Sequence, residues 1–164
     1  TNTPKSGSYQ RISQLGMDEF ERGVLAVLRR FLTTHSDPGT QCWDQAYLIA
    51  VEKWGESVGL AAAHALSQYA NAVLRFRAGP FEFHDPLDPD MRDFVTEDEA
   101  LLIAVLHYMR RDQTRNARDA VTALTLGQLN PDIIRAGLSF ASRFSAGANA
   151  APRQGTTPTL RVVG

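Results

Sequence analysis

The sequence predicts an all-α, six-helix single domain, orthogonal or bundle-like, and three observations predict it. Apolar residues recur at helical spacing in successive stretches between Met17 and Phe144. Residues that start or stop helices stand between those stretches: Pro38-Gly39, Gly55, Gly79-Pro80, Gln113-Thr114, Gly127 and Asn130-Pro131. The chain has 164 residues, 43% apolar and 21% charged, close to globular averages of about 45–50% and 25%. A chain of this length buries about 68–70% of the surface its unfolded form exposes, so it needs no covalent staple.

The same numbers bound function. A net charge of −1 exerts no long-range pull on nucleic acid or anionic lipid, so such a contact has to come from a local patch. Cys42 is the sole cysteine, which excludes an intramolecular disulfide and a cysteine-rich zinc site and favours a reducing, cytoplasmic setting. The first residues lack the apolar centre of a signal peptide, although a chain that begins at Thr1 leaves room for a leader removed earlier. Ser57 to Leu74 is uncharged and roughly the length of a membrane span, but His64, Gln68 and Asn71 interrupt it, so no membrane segment is expected.

Residues 1–15 are polar and read as a flexible N-terminal arm, residues 16–146 as the helical domain, and 147–164 as a C-terminal tail whose Thr159–Val163 has strand propensity. The first helix is expected from Met17 to His35, with Met17, Phe20, Val24, Val27, Leu28 and Phe31 inward and Arg22, Arg29 and Arg30 outward. A second runs from Thr40 to Gly55, where Trp43, Tyr47, Ala50 and Trp54 form an aromatic stripe assigned to the core. Cys42, near its start, is expected to be an inert buried thiol. The third, Glu56 to Ala78, carries small residues on one face and the polar row His64, Gln68, Asn71, Arg75 on the other. That row reads as a solvated surface, or else as one facing a ligand.

Residues 80–94 form a long acidic connection that Phe81, Phe83 and Leu87 should fold back onto the body. It lacks the spacing of a calcium-binding EF-hand loop, and His84 beside Asp85 is a weak candidate for acid–base or ligand chemistry. The strongest helix follows, within Phe94–Asp112. Thr96 and Glu99 form a capping box, acids fill the first turn, and Arg110 and Arg111 occupy the last. Leu101, Leu102, Val105, Leu106 and Met109 make its inner stripe. Ala100, Ile103, Ala104 and His107 make a second, small-residue strip that the core does not require, and this is the expected interaction face. A fifth helix should end at Leu126 with Gly127 as its stop, and a sixth should start at Asn130-Pro131.

Glu21 to Phe31 aligns without gaps on Glu99 to Met109, sharing the Glu and the run Ala-Val-Leu, which points to two three-helix halves joined by the acidic loop. Motifs of chemistry are missing. The four histidines form neither H-x-x-x-H nor E-x-x-H, no glycine-rich phosphate loop appears, and G-x-S-x-G is absent, so no metal, cofactor or catalytic residue is assigned. The expected function is a non-catalytic regulatory or adaptor module that contacts a protein partner or itself as a homodimer. One alternative is a helical nucleic-acid-binding transcriptional regulator using Arg110, Arg111, Arg115 and Arg118, disfavoured by the interleaved Asp112 and Asp119. The other is a small enzyme or ligand binder with a pocket containing His64, His84 or His107.

Overall fold

The structure is a computed structural model, and it describes residues 9–146. In chain order these form β1 (Gln10–Arg11), α1 (Glu19–Ser36), α2 (Cys42–Phe76), β2 (Phe94–Val95), α3 (Glu97–Met109), α4 (Thr114–Leu124) and α5 (Pro131–Arg143), with single 3-10 turns at Ile12–Gln14 and Pro89–Met91. The fold is mostly helical, with one minor antiparallel sheet in which Gln10 faces Val95 and Arg11 faces Phe94.

Local chemistry explains where the helices begin. The Asp18 carboxylate accepts the Glu21 N–H at 2.8 Å while Glu21 takes the Asp18 N–H at 3.1 Å. Thr96 and Glu99 repeat this reciprocal cap on α3, at 3.0 and 3.3 Å. At α5 the Asn130 side chain accepts from Asp132 and Ile133, with Pro131 in the first turn where its missing N–H costs nothing.

Five helices stand where six were expected. The second and third expected helices are one element, α2, interrupted at Gly55, whose φ of 81° lies in the region that favours glycine. The bend there is sharp: a Cβ on Gly59 would fall 2.6 Å from the Ala50 carbonyl oxygen, so backbone meets backbone across it.

The core takes residues from every helix. Val24 and Leu28, Leu66 and Val73, Leu102 and Leu106, Val121 and Leu124, and Ile133 and Phe140 are each no more than 1% exposed, each such burial stabilising by roughly 1.5–3 kcal/mol. Tyr69, fully buried in α2, donates its hydroxyl to the Leu102 carbonyl of α3 at 2.8 Å.

Several expectations need correcting. Part of the supposed arm is pinned, because β1 pairs with β2 and the Ile12 N–H reaches the Asp93 carbonyl at 2.9 Å. Arg29, assigned to the outer face of α1, is buried against α3. The aromatic stripe runs out of the core at its start, leaving Trp43 52% exposed, whereas Tyr47 and Trp54 are half-buried. Leu87 is also exposed, although Phe81 and Phe83 pack on the body as expected. The acidic connection is tied down from α3: Asp98 accepts from Arg77 and from the Glu82 N–H, both at 2.8 Å, and Thr96 donates to the Glu82 carbonyl. The expected tail at 147–164 lies outside the described residues. No described helix is long and apolar enough to cross a membrane.

Candidate functional site

α1 and α3 lie side by side in opposite directions, because charges at the start of each meet charges on the far part of the other. Glu21, in the first turn of α1 and 1% exposed, receives Arg110 at 2.5 Å, Arg111 at 2.7 Å and His107 at 2.8 Å from the end of α3. Asp18 accepts from both arginines at 3.0 Å. In the reverse sense, buried Glu99 at the start of α3 pairs with Arg29 of α1 and also accepts the His84 N–H at 3.0 Å. Arg29 donates to the carbonyls of Phe94 and Arg92 as well.

Burial pushes the Glu21 carboxyl up, but hydrogen bonds from Arg111, His107 and the Asp18 backbone outweigh it and hold the group below the usual carboxylate range. Asp18 behaves alike, burial being overcome by the Glu21 N–H and by Arg110 and Arg111. Arg110 itself is 2% exposed, lies 4.8 Å over the Phe20 ring and donates to the Phe144 carbonyl, while its Nη2 has no partner among the described residues.

Two grooves flank this pairing. The first, about 580 Å³, has the outer strip of α3 as its floor, with Ala100, Ile103, Ala104 and His107 all lining it. Tyr9, Gln10, Leu15 and Met17 line it together with Val95 and Thr96, and Glu82 and Glu97 are the only carboxylates among the described residues that line it. Ile103 is buried, whereas Ala100, Ala104 and His107 stay half-buried and open to the groove. The second, about 490 Å³, has the corresponding strip of α1 as its floor. The gapless alignment places Arg22, Leu25, Ala26 and Arg29 opposite Ala100, Ile103, Ala104 and His107, and all four line the second groove. Arg11, Lys53 and Arg92 add positive charge around it, with Asp93 as the one carboxylate.

The remaining candidate residues scatter. His64, Gln68, Asn71 and Arg75 are exposed; the last three line a shallow groove between α2 and α5, while His64 does not. Asn71 is bonded to His35 at 2.5 Å. His84 is buried, meets the Tyr9 ring edge-on at 4.8 Å and has an Nε2 with no partner among the described residues. Burial lowers its pKa, and the Arg29 charge adds to that against the pull of Glu99. His84 and Asp85 form no acid–base pair: Asp85 is exposed and accepts the Leu87 N–H. His107 is the only histidine lining the α3 groove, so no two histidines meet there.

The arginines do not form one exposed face. Arg110 and Arg111 point inward to Asp18 and Glu21, leaving Arg115 and Arg118 exposed on α4. Sequence reasoning missed the cations of the second groove as a cluster, because Arg11, Arg22, Lys53 and Arg92 come from four separate segments; of these the sequence places only Arg22, on the outer face of α1. No group of three or more His, Cys, Asp or Glu among the described residues is arranged to hold a metal ion. Compared with known protein families, curated proteins and solved structures, the chain has no match.

Proposed function

We propose that the chain is a non-catalytic cytoplasmic protein-interaction module, regulatory or adaptor in kind, that associates with a second copy of itself through the α3 groove. One observation carries this reading. The small-residue strip of α3 is left partly uncovered by the described residues and lies on an open groove with a largely apolar lining. Alanines at Ala100 and Ala104 let a partner backbone approach closely, and Tyr9, 50% exposed at the edge, supplies aromatic contact area.

Two halves of three helical segments each, with α2 divided at Gly55, are part of the same reading. Its support is that Glu21 and Glu99 both close capping boxes, that each is buried and paired with the other half, and that the aligned residues Arg29 and His107 exchange partners reciprocally. The sheet likewise joins β1, ahead of α1, to β2, ahead of α3. Native mass spectrometry of the purified chain tests the proposal. A dimer is expected, and Ala104→Glu, which adds a charge to an already acidic floor, should shift it to monomer with the melting temperature little changed. A wild-type monomer at all concentrations, or a dimer indifferent to Ala104→Glu, would refute it.

A further inference from the structure

We propose that the groove over α1 binds a small molecule carrying two or more phosphoryl groups. Its volume of about 490 Å³ falls within the ligand-pocket range of about 300–1,000 Å³. Its charge is what selects the ligand. Arg11, Arg22, Lys53 and Arg92 are exposed around it and none is in an ion pair among the described residues, against the single carboxylate of Asp93. Elsewhere Arg77, Arg110, Arg111 and Arg135 each have a carboxylate partner, and the other exposed arginines with no ion pair among the described residues, Arg75, Arg115, Arg118 and Arg143, are spread over α2, α4 and α5. Four unneutralised cations meet at this one concavity, where like charges repel until an anion enters.

The cations are also positioned. Arg11 lies 4.8 Å over the Phe94 ring, which orients its planar fork, and Arg29, neutralised by Glu99, holds the carbonyls of Arg92 and Phe94 from beneath. Forked guanidiniums match phosphate oxygens two at a time, so three of them with a lysine suit a diphosphate or triphosphate better than a monoanion. Ser13 adds a hydroxyl, while Ile12, Leu25 and Ala26 give the non-phosphate part an apolar surface. The α3 groove has the opposite sign through Glu82 and Glu97, so this site stands independently of the protein contact proposed above.

Isothermal titration calorimetry of the full chain with pyrophosphate, ATP and a short single-stranded RNA decides it. Pyrophosphate and ATP should bind one per chain, and Arg22→Gln with Arg92→Gln should weaken both at least about tenfold, while Arg115→Gln on α4 changes nothing. Because Arg22 and Arg92 are exposed and form no ion pair, the double variant should melt as the wild type does; if it does not fold, backbone NMR shifts of the wild type on adding pyrophosphate should cluster at Ser13, Arg22 and Arg92. The proposal fails if neither phosphate compound binds, if Arg115→Gln weakens binding as much as the groove variants, if the shifts scatter, or if only the RNA binds.

Discussion

Arg110 is the side chain whose removal should be felt most. It neutralises buried Glu21 from the end of the neighbouring helix, and taking it away leaves a buried carboxylate with Arg111, His107 and the Asp18 N–H. Arg110→Met, similar in volume and uncharged, should destabilise by roughly 3–5 kcal/mol in urea unfolding, and adding Glu21→Met should recover much of that. A loss below about 1 kcal/mol, the range of exposed pairs, would show that this pair is not a buried one. His84 gives a prediction in pH. Its folded pKa lies below the unfolded value, so its contribution is complete above about pH 6.5 and is lost as pH falls toward the folded value. Asp18 and Glu21, both depressed, act in the same direction but lower, holding stability above the ordinary carboxylate range near pH 4 and releasing it as pH falls toward their folded values. Urea midpoints should therefore decline between pH 7.5 and 5.5, and His84→Gln should flatten that decline. None of this was legible in sequence, since Arg110 and Glu21 are 89 residues apart. What the sequence did show was the local half: acids first and arginines last along a helix, which is also how the two ends come to attract each other.

At the scale of elements, the caps of α3 and α5 were readable because each lies within three or four residues, whereas the equally local Asp18–Glu21 cap was passed over for a start at Met17. Thr96 with Glu99 and Asn130 with Pro131 sit where the helices begin. The helix count was harder. Gly55 marked the break, yet a residue name does not say that a chain turns with no loop between its arms. The tight crossing at Gly59 depends on backbone contact that only the folded chain reveals. Glycine positions separate by what they touch. Gly59→Ala places a methyl against backbone and should cost about 1–3 kcal/mol. At Gly137 the new methyl would lie 2.7 Å from the Met109 sulfur, the far end of a flexible side chain that can swing aside. Thermal denaturation should rank Gly59→Ala clearly below Gly137→Ala, and the reverse order would contradict the crossing.

For the whole molecule, corresponding strips of α1 and α3 floor two grooves, one basic and one acid-edged over an apolar wall. The α3 strip was visible as a second face of the helix, but Ile103 on it belongs to the core and only Ala100, Ala104 and His107 stay open; the α1 groove was not visible, because its charge is assembled from four segments. If the α3 strip meets a second copy, a photo-crosslinking amino acid placed at Ala104 should capture it. Irradiation followed by peptide mapping should give adducts between chains at position 104, with few from the same probe placed at exposed Gln68 on α2. Adducts confined within one chain, or equal yields from both positions, would contradict it.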